Sequence, residues 1–295
     1  MYNYKQENNN MIYSIDMLRL KTSITYSVFS EIEFRFNTVW KDYVKKYYTT
    51  GRMKEFFYNY VIEVGEGQSF WFGFLHNTEK RQISEYGKYN FTIEFNPNKL
   101  KDDKIIFYLL GLSGDWYIKS YDLAIDLKVN ILDLIIDSSG KKQMKIFSNG
   151  YDDKTYEIGK GDGRLKIYNK KIESKLNMLG DLTRVEISRV LEDYPIVNIN
   201  LYKFGDFFPT IYLNQYVMSL SDYQDRTLLA LLYAVQNGYP IKDLSKVYKR
   251  KIKSMYEGGY RIRFFQKYAE IVLQQTIYFY FMKNYQVHWD RKIFK

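Results

Sequence analysis

The sequence predicts an α+β fold, in which a largely antiparallel sheet with one charged open face is joined to a C-terminal helical region. Apolar and polar residues alternate along most of the chain from Met11 to about Asn200, which is typical of strands with one solvated face. The Gly-Asp-Gly turn at 161–163 favours a tight hairpin between two such strands. Over 30–48, over 98–112 and after about Val217 the apolar residues recur at helical spacing instead.

These patterns divide the chain into three parts. Residues 1–10 are polar and rich in Asn, and are predicted to form a flexible tail. Residues 11–215 form the sheet domain, and residues 216–295 form a basic helical region. No linker rich in Pro, Gly or Ser separates the last two parts, so we expect the helical region to pack on the sheet domain.

Composition restricts the chemistry that is open to the chain. Its 295 residues include no Cys and only 2 His, which excludes disulfides, thiol catalysis and metal sites rich in His or Cys. No run reaches the ~18 apolar residues of a membrane span, and the polar N-terminus does not resemble a signal peptide. A cytoplasmic protein with no membrane partner is therefore expected. The net charge of +10 indicates attraction to a polyanion.

Four short segments, 90–95, 122–127, 164–170 and 184–188, each have one clean apolar face and one polar face. The polar positions are concentrated in type: carboxylates at Glu94, Asp122, Asp126 and Glu186, bases at Arg164, Lys166, Lys170 and Arg184, and one phenol at Tyr168. A solvated sheet face whose charges pair across strands would also give this alternation. However, carboxylates can hold a divalent cation, bases can hold phosphate oxygens, and a tyrosine hydroxyl can act as a nucleophile. Together these groups are sufficient to cut a phosphodiester and keep one end attached.

The carboxylates predict a site for Mg²⁺ or Mn²⁺, because both ions prefer oxygen ligands. Asp122 and Asp126 share a face, but four residues of strand separate them by about 13 Å, so both reach one ion only if the strand bends. We therefore expect Asp122 and Glu186 to be the ligands. Asp126 is a third candidate, which would act directly or through water.

Three motifs in order resemble the trans-acting replication-initiator (Rep) family of Gram-positive rolling-circle plasmids, and the related relaxases of some conjugative elements. The motifs are Tyr121–Asp126, Arg164–Lys170 running on to Glu173, and Arg184–Ile187. Ile15–Leu18 is a weaker match. The resemblance covers roughly residues 11–215.

The resemblance implies that residues 11–215 are a metal-dependent nicking and strand-joining domain. Tyr168 would attack the scissile phosphate and keep the 5′ phosphate as a phosphotyrosine, and the freed 3′ hydroxyl would prime DNA synthesis. Asp122, Glu186 and Lys170 would assist catalysis. A phenol has a pKa of about 10, and we expect Lys166, Lys170 and the metal ion to favour the phenolate. Arg164, Lys166 and Arg184 would bind DNA.

Other interpretations stay open at this point. The protein could be a non-enzymatic origin-binding initiator or repressor, or a conjugative relaxase with the same chemistry. The carboxylates beside Tyr168 favour an enzyme, because simple binding gains nothing from anions that face DNA. The sequence departs from the family pattern at Ser120 and Tyr121, where an Arg commonly precedes the first Asp of this motif. That departure leaves the efficiency of nicking open.

Residues 241–267 carry most of the excess positive charge, with nine Lys and Arg against two acids, a net +7. A solvated helix face would tolerate such a run, but contact with the phosphates of a duplex beside the nick site is the alternative. The bases assigned to this contact are Lys246, Lys249, Arg250 and Lys253. Double-stranded origin DNA and the single-stranded nick site are thus the expected partners, and a host helicase and a homodimer are added to them by the resemblance.

Overall fold

One antiparallel sheet of eleven strands organises the part of the chain that the computed structural model describes. The described residues are 4–6, 11–42, 45–48, 56, 58–65, 68–75, 89–100, 104–137, 144–148, 154–173, 180–213, 225–236, 239, 241–257 and 261–293. The predicted α+β class, with a largely antiparallel sheet and a C-terminal helical region, is confirmed.

The strand order in the large sheet is β3-β4-β5-β6-β2-β7-β12-β11-β10-β9, and β1 pairs with β2. Its strands are β1 (Tyr4–Gln6), β2 (Met11–Thr22), β3 (Lys45–Tyr48), β4 (Tyr58–Gly65), β5 (Gln68–Phe74), β6 (Phe91–Phe95), β7 (Tyr117–Leu127), β9 (Met144–Ser148), β10 (Lys154–Ile158), β11 (Arg164–Asn169) and β12 (Thr183–Pro195). A separate two-stranded sheet joins β8 (Leu134–Asp137) to β13 (Thr210–Leu213). Within the N-terminal segment predicted as a tail, Tyr4–Gln6 thus pairs with β2.

Six α-helices lie in the described residues: α1 (Tyr26–Asn37), α2 (Lys104–Leu110), α3 (Lys170–Glu173), α4 (Arg226–Gln236), α5 (Lys246–Glu257) and α6 (Gln266–Ile293). Short 3₁₀ turns occupy Ile131–Asp133, Ile196–Leu201 and Ile241–Asp243. Among the described residues, none of these helices combines the length and the apolarity needed to cross a bilayer.

The helix predicted over 30–48 is wrong in both bounds. The hydroxyl of Thr25 accepts a hydrogen bond from the amide of Val28 at 3.3 Å and caps the helix, so α1 begins before residue 30. At the other end the backbone turns away after Asn37, and Trp40 packs edge-on against Phe36 at 4.9 Å from this turn. Trp40 is four residues after Phe36, which is why the sequence pattern extended the helix too far, but Trp40 lies beyond the end of α1.

The main core lies on one side of the large sheet, where α1, α2 and α6 cover it. Phe29 of α1 stacks on Phe74 of β5 at 4.2 Å. Tyr280 of α6 packs edge-on against Phe95 of β6 at 4.9 Å, and its hydroxyl donates a hydrogen bond to the carbonyl of Leu100 at 2.6 Å. These contacts bury the apolar residues of each strand and leave the alternate, polar residues on the opposite side.

A small second cluster lies on that opposite side at β5. Trp71 is fully buried there and packs edge-on against Phe56, with ring centroids 5.5 Å apart. Gly73 lies two residues further along the same strand, so its side-chain position faces the same cluster. A Cβ atom at Gly73 would lie 2.7 Å from ring atoms of both Phe56 and Trp71.

We expect Gly73→Ala to lower the free energy of unfolding by about 1–3 kcal/mol, because the added methyl group overpacks the cluster. Urea denaturation followed by tryptophan fluorescence measures this change. The matched control is Gly114→Ala, because no atom lies within 4 Å of a Cβ placed at Gly114. An equal loss of stability in both variants would contradict the packing argument.

Candidate active site

Cross-strand register brings the predicted site residues together on the polar face of β7, β12 and β11. Because residues paired across an antiparallel ladder point to the same face, each pair of partners is adjacent in space. The rows are Tyr168–Arg184–Asp126, Lys166–Glu186–Ala124 and Arg164–Ser188–Asp122. Three of the four segments, 122–127, 164–170 and 184–188, therefore converge on one surface, which we call the charged face.

Tyr168 lies in the middle of this face and is only 3% exposed. Its hydroxyl donates a short hydrogen bond to the carboxylate of Glu186 on β12. The ammonium groups of Lys166 and Lys170 lie 4.4 and 5.7 Å from the centre of the Tyr168 ring. The phenol oxygen is therefore held by a carboxylate, and the two lysines are placed over the ring.

The pKa of Tyr168 is raised above its ordinary value. Burial is the main cause, and the charge and hydrogen bond of Glu186 act in the same direction, whereas the nearby Arg184 lowers the pKa. The net shift is therefore opposite to the one expected from Lys166, Lys170 and the metal ion, because burial and Glu186 dominate the surroundings of the phenol. In this structure Tyr168 is a neutral phenol whose proton is already directed at a base.

Arg184 is clamped between two carboxylates. Its Nε and Nη2 donate to the two carboxylate oxygens of Asp126 at 2.6 and 2.7 Å, and its Nη1 lies 3.2 Å from Oδ1 of Asp16. Burial opposes the charge on Arg184, but the hydrogen bonds and charge of Asp126 outweigh it and hold the pKa of Arg184 above its ordinary value. Both oxygens of Asp126 are thus engaged by a cation of the protein.

Two further carboxylates of the charged face, Asp122 and Glu186, have raised pKa values. Burial raises the pKa of Asp122, and the charges of Asp16 and Glu94 raise it further, while a hydrogen bond from Ser188 opposes them. Burial also raises the pKa of Glu186, and Asp16 contributes in the same direction, against the hydrogen bond from Tyr168. Both acids are therefore stronger bases than exposed carboxylates.

Asp16, for which no role was predicted from the sequence, lies beside these groups. The pairing of β2 with β7 shifts between Ile15 and Met17, so Asp16 is the extra residue of a β-bulge. Its carboxylate accepts a hydrogen bond from the Asn96 side chain at 3.0 Å. The signal in the sequence is that the buried residues Ile15 and Leu18 are three positions apart, which interrupts the strand period of two.

Two of the three carboxylates expected to hold a divalent cation, Asp122 and Glu186, are placed to do so. Asp122 and Glu186 lie on neighbouring strands at diagonal positions. The negative charge of Asp16 raises the pKa of both carboxyl groups, and a bound cation would offset this repulsion. Asp126 does not fit, because both of its oxygens accept from Arg184. Among the described residues, no three acidic or histidine side chains are grouped closely enough to form a metal site.

Ser120 stands where the resemblance calls for an arginine. It is paired across the sheet with Arg19 of β2, so a guanidinium lies beside that position from the neighbouring strand. Nε of Arg19 donates to Glu94 at 2.7 Å. The charge missing from β7 is therefore present nearby, although it is held by a carboxylate.

The bases assigned to duplex contact lie on α5, and the structure separates them into two groups. Lys246 and Arg250 are exposed and one helical turn apart, and Lys249 is half-buried. Lys253 instead points inward, with its ammonium group 2.7 Å from the buried carboxylate of Asp137. Lys246 and Arg250 can reach a phosphate, whereas Lys253 ties α5 to β8.

Comparison with known proteins supplies relatives for part of the chain. No family model matches the sequence. Two replication initiation proteins of Staphylococcus aureus are 31% and 33% identical over alignments of 129 positions, which cover 39% of this chain. The chain matches 41% of the length of each of these relatives. The predicted resemblance to replication initiators is thereby confirmed in sequence.

A solved structure of a rolling circle replication initiator protein from Geobacillus stearothermophilus also aligns with the chain. The alignment covers 84% of this chain and 97% of that chain, with 11% sequence identity and a TM-score of 0.38.

The raised pKa of Glu186 has a consequence for stability. A carboxyl group whose pKa is higher in the folded than in the unfolded state destabilises the fold while it is ionised, and this cost disappears as the pH falls through the folded pKa towards the unfolded value. We therefore expect Glu186→Gln to be more stable than the unmodified protein at about pH 8 and to lose this advantage at about pH 4.

Urea denaturation in chelator at both pH values measures the difference. Glu157→Gln is the control, since Glu157 is half-buried on the same row of the sheet but does not contact Tyr168. The interpretation fails if the two variants show the same dependence on pH.

Proposed function

We propose that this chain is a replication initiator of the rolling-circle type, which nicks one strand of its origin DNA through Tyr168. The observation that carries the proposal is the hydrogen bond from the Tyr168 hydroxyl to Glu186 on the charged face. A nucleophile paired with a general base is the arrangement that covalent catalysis needs. The sequence similarity to replication initiation proteins supports the same function.

The proposed reaction is a transfer of the phosphoryl group from a deoxyribose oxygen to Tyr168. The Tyr168 oxygen attacks the scissile phosphorus while its proton passes to Glu186. The bond from phosphorus to the 3′ oxygen breaks, and that oxygen takes up a proton and leaves as a hydroxyl. Tyr168 keeps the 5′ phosphate, and the free 3′ hydroxyl serves as primer. A neutral phenol beside a base needs no prior ionisation, since the proton leaves as the new bond forms.

The bases around Tyr168 have distinct roles in this proposal. Lys166, Lys170 and Arg164 face the position of the phosphate and neutralise the charge that develops on its oxygens. Arg184 is occupied by Asp126 and Asp16, so we assign it an electrostatic role beside the phenol rather than direct contact with DNA. Asp126 accordingly orients Arg184.

Asp122 and Glu186 would hold the divalent cation, Mg²⁺ or Mn²⁺. When bound, the cation would polarise a phosphoryl oxygen and increase the charge stabilisation at phosphorus. Asp122 lies in the row next to Glu186, at a diagonal position on the neighbouring strand.

The wider assembly also belongs to this proposal. The exposed bases of α5 would bind the duplex beside the nick site, because phosphate contacts position a protein on DNA. A host helicase would extend the unwound region from the free 3′ hydroxyl, and a homodimer would provide a second active site for the closing reaction.

We expect Tyr168→Phe to bind origin DNA nearly as well as the unmodified protein and to form no covalent adduct. The variant loses only the hydroxyl that attacks phosphorus, and the ring that contacts Lys166 and Lys170 is kept. Incubation with a supercoiled plasmid that carries the origin, followed by mass spectrometry of peptide–nucleotide adducts, measures the result.

The control is Tyr156→Phe, because Tyr156 lies on the adjacent strand but faces the core. The proposal is overturned if Tyr168→Phe still forms the adduct. Absence of an adduct with the unmodified protein in the presence of Mg²⁺ and Mn²⁺ would instead favour a non-enzymatic initiator.

The α5 contact predicts a change in salt dependence. We expect Lys246→Ala and Arg250→Ala each to reduce the slope of log K against log salt concentration by about 0.9 if each base neutralises one phosphate. Fluorescence anisotropy with duplex origin DNA at several salt concentrations measures the slope. Lys203→Ala is the control, since Lys203 is an exposed base outside α5, and an equal loss in this variant would point to general charge attraction.

A further inference from the structure

The edge strand β9 places an aromatic residue on the charged face. Phe147 of β9 is paired with Thr155 of β10, and Thr155 is paired with Tyr168 of β11. These three side chains therefore point to the same side of the sheet. With neighbouring strands about 4.8 Å apart, the backbone of Phe147 lies about 10 Å from that of Tyr168.

The Phe147 side chain is 49% exposed, although it is large and apolar. A single exposed apolar residue needs no explanation by itself. What distinguishes Phe147 is its position, in the same row as the proposed nucleophile and on the face that carries Lys166 and Glu186. Thr155, which lies between them in this row, has a small side chain.

Basic residues accompany Phe147 on this face. Lys145 is exposed two residues before it, and it is paired through Glu157 with Lys166, which lies over the Tyr168 ring. An aromatic ring next to a row that carries two lysines, Lys145 and Lys166, is a combination that binds single-stranded nucleic acid, because the ring stacks on a base while the cations attract the backbone. Stacking tolerates any base, since each base has a flat π-face.

We propose that Phe147 stacks on an unpaired base of the nick site, next to the scissile phosphate held at Tyr168. This inference rests on the proposed function, because it needs a single strand to cross the charged face. It adds a binding subsite at the sheet edge. This subsite would keep the single-stranded DNA extended across the face from Tyr168 towards β9. Phe147 contacts a base and takes no part in the bond changes at phosphorus.

Strand β9 also supplies a matched control. Ile146 is 43% exposed, nearly as much as Phe147, but it is paired with Tyr156 and points to the opposite face. A substitution at Ile146 therefore perturbs the same edge strand and removes a comparable exposed apolar side chain, without touching the charged face.

The test uses the full chain with Tyr168→Phe, so that a single-stranded oligonucleotide of the nick site stays intact, and 2-aminopurine at successive positions as the probe. We expect Phe147→Ala to weaken binding about 5-fold to 100-fold, which corresponds to the ~1–3 kcal/mol of one base–aromatic stack. Phe147→Trp should restore binding. The fluorescence of 2-aminopurine should be quenched at one position near the scissile phosphate, and this quenching should disappear in Phe147→Ala. Ile146→Ala should bind the single strand as well as the Tyr168→Phe parent does. All variants should bind duplex DNA with unchanged affinity.

Unchanged binding of Phe147→Ala to the single strand would overturn the inference and leave Tyr168 as nucleophile untouched. Equal losses in Phe147→Ala and Ile146→Ala, with a change in sedimentation, would also overturn it, because β9 would then be an edge at which two copies pair. Failure of the proposed function itself has a different signature, which is cleavage of the oligonucleotide by the Tyr168→Phe chain.

Discussion

The register between β7, β12 and β11 is the constraint on which the charged face depends. A slip of one residue in β12 would turn Arg184 and Glu186 into the core and expose Val185 and Ile187. A contact made by the buried Arg189 opposes such a slip: its Nε donates to Asp162 in the β10–β11 turn at 2.8 Å, and Asp162 also accepts from the amide of Val190 at 2.9 Å. The turn is thereby fixed to the strand next to it.

Given this register, burial and charge act against each other at the site. Acids and a phenol lie on a half-buried surface, where burial raises the pKa of each. Arg184 offsets part of the negative charge, and it can do so only because Asp126 and Asp16 compensate its own burial. The result is a set of basic carboxylates beside a neutral phenol, an arrangement that costs stability and suits proton transfer.

The sequence was sufficient for the faces of the strands but not for the partners of the side chains. Alternation assigned Tyr168, Glu186 and Asp122 to one surface, because side chains in a strand alternate strictly. It could not show that Asp126 is engaged by Arg184, since that pairing depends on register between strands far apart in sequence. Asp16 was missed because a bulge breaks the alternation, and Phe147 was missed because β9 lacks a clear polar and apolar period.

The connection between the two sheets determines where α5 lies relative to the charged face. Strand β7, which carries Asp122, runs through the turn at Ile131–Asp133 directly into β8, and Asp137 of β8 holds Lys253 of α5. The helix α5 has its own small core, in which Ile252 is fully buried. Substitutions at its exposed bases therefore leave the core of the large sheet undisturbed. Changes in the β7–β8 connection would affect that core, because β7 is part of the large sheet. If α5 binds the duplex and Tyr168 is the nucleophile, as proposed, this short connection would set the distance between them and so select the phosphate that Tyr168 reaches.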